Sequence, residues 1–168
     1  MTRRCSGRGQ GGLTLIEVVI ALAVLAVLSS IALPSLGQAL HRQRLKAAAE
    51  TLASDMAEAR FEAARRGLPL HLVFAGGAGW CYAVATAPGC DCHVVQVCQL
   101  KTVRASDLPG VALLGSQDAR IEASGVAAGA TRTLLGTKNG EQLLVSLSVL
   151  GRSSVCAPGG QVAGYAGC

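Results

Sequence analysis

The chain has 168 residues, a formal net charge of +5, and an apolar content of 51% with only 3% aromatics. Once a membrane-length apolar run is set aside, that leaves room for one small globular domain whose core must be aliphatic. Arg3, Arg4 and Arg8 all precede Gly12 with no acid among them, and the charge left beyond them does not argue for a nucleic-acid protein.

Residues 1–12 read MTRRCSGRGQGG. An ordinary secretory signal is cut after its apolar core, at small residues. Here no such site follows the core closely, and the Gly11-Gly12 pair stands before it. Cys5 has no apolar stretch ahead of it, which argues against a lipoprotein anchor, and Arg3-Arg4 lacks the apolar residues of a twin-arginine signal. Residues 13–33 are almost wholly apolar and, at about 1.5 Å per residue, long enough to cross a bilayer as a helix. Glu17 breaks the run, and an ionised carboxylate in hydrocarbon costs on the order of several kcal/mol. It is either an interfacial acid at a helix end or a charge that finds its partner only in an assembled state.

The order Gly12-Leu13-Thr14-Leu15-Ile16-Glu17, with a basic leader before it and an apolar run after it, resembles the class III signal of type IV pilins and pseudopilins. The resemblance implies that a prepilin peptidase cuts after Gly12 and methylates the amine of Leu13, where the family more often has Phe. Glu17 is then the fifth mature residue. The α-amine of one subunit and Glu17 of its neighbour would neutralise one another in a packed bundle, where a low dielectric makes the pair strong.

Pro34 removes a backbone donor inside the helix and tends to kink it. Beyond it Leu45, Ala49, Leu52, Met56, Ala59 and Ala63 recur at three- and four-residue spacing as one apolar stripe. Asp55 and most other charged residues of this stretch fall off the stripe, Gly67 suits the position after a helix end, and Pro69 stops continuation. The pattern predicts one helix over residues 13–66. Strands are predicted at 70–74, 80–86, 94–100, 111–114 and 120–122, and at 131–137 and 141–149 around Lys138-Asn139-Gly140, a strong hairpin signal. The segment after Leu150 is Gly-rich and predicted irregular.

Six cysteines lie beyond the apolar run: Cys81, Cys90, Cys92, Cys98, Cys156 and Cys168. An even number there points to disulfides in an oxidising compartment. The arginines of the leader place it in the cytoplasm and the rest in a periplasm, although Arg42, Arg44 and Lys46 weaken the asymmetry. Cys156–Cys168 is predicted as one bridge. The other four allow three pairings, of which Cys81–Cys98 is preferred, while Cys90 and Cys92 are too close in sequence to pair easily with each other. A metal site at Cys90-Asp91-Cys92-His93 is disfavoured because C-x-C lacks a paired half. His41, His71 and His93 stand in no catalytic motif and no nucleotide loop is present, so neither cofactor nor enzymatic activity is expected.

With Trp80, the Asn139-Gly140 hairpin and Leu150-Gly151-Arg152, the remainder resembles the FimT/GspH group of minor pilins and pseudopilins. That implies an α+β fold: a leader (1–12), a transmembrane assembly helix (13–36), its amphipathic continuation (37–67) and a β-rich periplasmic head (68–168). It also implies a structural role in pilus assembly, with prepilin peptidase, other pilins or pseudopilins and the inner membrane as partners. The alternatives are a minor pseudopilin of a type II secretion system and a DNA-uptake receptor. Some FimT-like members bind DNA through a C-terminal Gly-Arg-x-Arg motif; Gly151-Arg152 matches it, but Ser154 replaces the second arginine. Arg132, Lys138 and Arg152 are expected on one face, giving weak, salt-dependent binding of double-stranded DNA, with Arg60 on the helix as a remote reference.

Overall fold

The computed structural model describes residues 14–168, apart from the side chains of residues 31–35. One helix, α1 (Leu15–Arg66), precedes eight strands: β1 (Leu70–Ala75), β2 (Cys81–Ala85), β3 (Gln99–Arg104), β4 (Val111–Gly115), β5 (Ala119–Ile121), β6 (Thr131–Thr137), β7 (Gln142–Leu147) and β8 (Ser153–Cys156). This is the α+β architecture expected. The chain divides into two compact units, Met1–Gly37 and Gln38–Cys168.

In the first unit, the described side chains of residues 15–28 are all exposed, Leu15 at 84% and Leu28 at 60% among them. Among the described residues no helix is long and apolar enough to cross a membrane.

In the second unit the helical stripe meets two antiparallel sheets, ordered β3-β2-β1-β5 and β4-β6-β7-β8. Leu45, Ala49, Leu52, Met56, Ala59 and Ala63 are all buried in one core. That core also takes Leu70, Leu72, Tyr82, Val84 and Ile121 from the first sheet and Leu135, Leu143, Val145 and Leu147 from the second. The alternation of strand side chains puts these residues on one face of each sheet. Trp80 is buried between the sheets, and its indole N–H donates to the Val111 carbonyl at 2.9 Å.

β2 is buried along its whole length. Its second face, Cys81, Ala83 and Ala85, is covered together with Val73 by Cys90 and Cys92 of the β2–β3 connection. A covered outer face explains why the strand reads as a nearly continuous apolar run.

Two elements differ from the sequence expectation. The predicted strand at 94–100 is displaced: β3 begins at Gln99, and Val94, Val95 and Val97 lie exposed in the preceding loop. Gln99 holds that loop through Nε2 bonds to the carbonyls of Asp91 (2.7 Å) and Val94 (2.8 Å), so a β-branched composition did not make a strand. β8 forms where the segment after Leu150 is predicted irregular, because Ser153-Ser154 carries little strand signal. The hairpin forms as read: Lys138, Asn139 and Gly140 connect β6 to β7, with the Thr137 N–H donating to the Glu141 carbonyl at 2.9 Å. Gly140 has φ +85°, the conformation that closes a three-residue hairpin loop.

Candidate functional site

Gly12 and Leu13, the expected processing residues, lie outside the described residues, as does the side chain of Pro34. Glu17 is described. It stands in the first turn of α1, where its N–H donates to Thr14 Oγ1 at 3.3 Å and to the Thr14 carbonyl at 3.1 Å. Thr14-Leu15-Ile16-Glu17 has the spacing of a capping box, and an acid here also complements the helix dipole. Thr14 therefore caps the start of the helix through the Glu17 N–H.

The cations just beyond the first unit are used by the head. Arg42 Nε donates to Glu141 Oε1 at the hairpin tip, 2.6 Å away. Arg44 reaches the Pro109 carbonyl at 3.2 Å, and Lys46 Nζ reaches the Ala163 carbonyl at 2.6 Å. Three loops are thus tied to one short stretch of helix, a structural use for the residues that blurred the charge asymmetry in the sequence.

Asp55, which falls off the apolar stripe in the sequence, is nevertheless buried and only 2% exposed. Its Oδ2 accepts from the Tyr82 hydroxyl at 2.8 Å and its Oδ1 from Lys101 Nζ at 2.5 Å. The carboxylate stays inside because both oxygens are satisfied. Burial, then the charge of Asp55, pushes the Tyr82 hydroxyl well above the usual phenol range. The partners come from β2 and β3, so this one residue joins the helix to two strands.

The disulfides are Cys81–Cys92, Cys90–Cys98 and Cys156–Cys168. The preferred Cys81–Cys98 pairing is corrected. Cys81 points to the outer face of β2, and the connection folds back so that Cys92 meets it, with Cα atoms 5.8 Å apart. That leaves Cys90 for Cys98 at 6.2 Å and avoids the strained pairing of near neighbours. His93 Nδ1 lies 3.6 Å from Cys81 Sγ. His71 stands opposite Arg120 in the β1–β5 ladder. Burial and the Arg120 charge push its imidazole below the ordinary range.

The three cations expected on one face are not together. Arg132 pairs with Ser146 across β6 and β7, and Ser146 with Ser154 across β7 and β8, the two serine hydroxyls 2.9 Å apart. Arg152 lies in the β7–β8 turn at the same end of the sheet. Lys138 is in the β6–β7 turn at the opposite end, about 20 Å from Arg132 at about 3.3 Å per residue. Arg60 of α1 comes to the β7–β8 turn instead. A Cβ at Gly151 would come 3.1 Å from Arg60 Cδ and 2.3 Å from the Gly125 carbonyl oxygen, so Arg60 lies against the glycine that precedes Arg152. Arg60 is no remote reference, and nothing in its sequence position signals a partner so far along the chain.

Residues 7–33 match the prokaryotic N-terminal methylation motif and residues 48–151 match the family described as type II transport protein GspH. Over 80 residues the chain is 44% identical to the pilin-like protein PilA1 of Thermus thermophilus, covering 47% of this chain and 46% of that protein. The chain thus matches about half of that relative's length. The crystal structure of the type IV minor pilin FimU of Pseudomonas aeruginosa superposes with a TM-score of 0.53 at 16% identity, over 68% of this chain and 97% of FimU. At that identity the likeness is one of fold.

Proposed function

The chain belongs to the family of type II transport protein GspH, and from that footing we propose that it is a minor structural subunit of a type IV pilus. In this reading it waits in the inner membrane, anchored by residues 13–33 with its head in the periplasm, and then helps filament assembly to start. A prepilin peptidase cuts after Gly12 and methylates Leu13, and Glu17 then meets the amine of a neighbouring subunit.

One observation carries the reading. The same helix buries its stripe in the head between Leu45 and Ala63 yet leaves every apolar side chain of residues 15–28 exposed. An apolar surface of that extent is covered by lipid or by other helices, the two environments a pilin passes between. The match to the N-terminal methylation motif supports the processing step.

The second reading is a minor pseudopilin of a type II secretion system. Sheared surface filaments and secreted protein, each measured with and without the gene, separate the two. A pilus subunit is recovered in the sheared fraction without its first twelve residues, and its loss lowers piliation while secretion is unchanged. The converse pattern assigns the chain to secretion. A DNA-contacting role is favoured only by Arg60, Arg132 and Arg152 lying at one end of the second sheet.

A further inference from the structure

The end of the head that Arg60 reaches is built from two tight turns that brace each other. In the first, the Gly125 N–H donates to the Glu122 carbonyl at 2.8 Å; in the second, the Gly151 N–H donates to the Ser148 carbonyl at 2.9 Å. Both glycines have positive φ, +80° and +71°. The Ala127 N–H crosses to the Val149 carbonyl at 2.9 Å and joins the two. Arg60 packs its stem against both glycines: its Cγ lies 3.2 Å from where a Cβ of Gly125 would stand, and its Cδ 3.1 Å from that of Gly151.

What this braced tip carries is apolar. Val126, Val149 and Leu150 are exposed, Leu150 at 67%. Phe61, 73% exposed, follows Arg60 on α1 and stands one helical turn beyond Ala57, which lines a groove with Ser153 just after the second turn. Three elements thus bring four apolar side chains to one end of the head, where exposed apolar residues on most surfaces are scattered singly. Arg60 and Arg152 sit among them, and among the described residues neither has an ion-pair partner. Glu122, the acid of the first turn, is already taken by Arg120 at 3.0 Å, and Glu58 lines a separate groove with Lys101. The tip is therefore apolar and cationic at once.

We propose that this tip docks the head on an anionic phospholipid surface, a contact separate from the anchor proposed at residues 13–33. Charge and shape together select that occupant. Duplex DNA would use the two guanidinium groups but leave four apolar side chains in water. A folded protein would need a matching cavity, because these side chains stand on projecting turns and a helix flank. A bilayer surface takes both kinds of group. Phe61, Val126, Val149 and Leu150 enter the boundary between headgroups and acyl chains, while the arginine stems lie along them and the guanidinium groups meet lipid phosphates. The bracing by Arg60 means that the apolar groups are already in place before contact, so little ordering cost falls on the docking step.

The test is flotation of the full chain, held in nanodiscs of phosphatidylcholine so that the proposed anchor is already in lipid, with added vesicles. Vesicles containing phosphatidylglycerol should carry the wild type upward, and vesicles of phosphatidylcholine alone should not. Val149→Ser/Leu150→Ser changes only exposed side chains and should weaken that flotation about tenfold or more, while leaving any binding of a duplex oligonucleotide as it is. Arg152→Ala should weaken flotation as well, with the thermal midpoint unchanged. Equal flotation with both kinds of vesicle, or undiminished flotation of the serine variant, overturns the proposal. So does a parallel loss of oligonucleotide binding in that variant, which would make the tip a nucleic-acid surface. Should the serine variant melt early, Arg152→Ala decides alone, and flotation that it leaves unchanged overturns the proposal.

Discussion

The hydroxyl of Tyr82 donates to the carboxylate of Asp55 inside the core, 2.8 Å away. Removing it in Tyr82→Phe leaves a buried oxygen without that partner, and the head should lose about 1–3 kcal/mol at neutral pH. The pair also sets an alkaline limit. The Tyr82 hydroxyl titrates higher in the folded head than its ordinary value of about 10, so its contribution is complete below pH 10 and is lost as pH rises beyond it. Tyr165, pushed up to about 12 by burial and by Glu50, adds a smaller loss between pH 10 and about 12. Denaturant midpoints should be flat up to pH 10 and then fall, and Tyr82→Phe should flatten the fall; an unchanged alkaline slope would disprove the assignment.

Gly151 combines φ +71° with a neighbouring carbonyl 2.3 Å from where a Cβ would stand. Gly151→Ala should therefore cost about 2 kcal/mol or more from backbone strain and the forced shift of the Gly125 turn. Gly129, with open space around it and no positive φ, is the control: Gly129→Ala should move the thermal midpoint by no more than a degree or two.

Where the sequence was informative, the signal was periodic or local. The stripe from Leu45 to Ala63 is a spacing that only a helix satisfies, and the Asn139-Gly140 turn is specified by its own two residues. Other features were set by residues far away. Asp55 looks like surface because Tyr82 and Lys101 lie on strands much later in the chain. Val94, Val95 and Val97 look like a strand because composition does not show that Gln99 holds their backbone in a loop. Arg60 meets Gly151 only after every strand has been placed.

The proposed charge role of Glu17 can be told apart from a capping role by substitution. If it pairs with a neighbour's amine, both Glu17→Ala and Glu17→Gln should lower incorporation into filaments, with membrane insertion unchanged or improved. If its part is confined to the capping box, where Gln serves as well as Glu, Glu17→Gln should incorporate normally. Filament-to-membrane ratios by quantitative immunoblot decide between them. Gly12→Val, by removing the small residue before the cut, should leave the leader on in either case, which intact-mass measurement would reveal.

The row Arg132–Ser146–Ser154 predicts a gain of function. An arginine at 154 would project from the same row as Arg132, and Ser154→Arg should raise affinity for duplex DNA several-fold at low salt and steepen the salt dependence by about one phosphate contact. Arg60→Ala and Arg152→Ala should lower any basal binding alike, and Lys138→Ala should leave it unchanged. Equal effects from Lys138 and Arg152 in mobility shifts would remove the patch from consideration.

The two bridges of the β2–β3 connection overlap: one spans 81–92 and the other 90–98. Any single backbone cut between Cys81 and Cys98 therefore falls inside at least one disulfide-closed ring, and the two pieces remain one covalent molecule. The exposed valines make this loop an obvious place for a protease to bite, yet a bitten subunit cannot shed its far half. Such a loop lets wear accumulate without loss of the part.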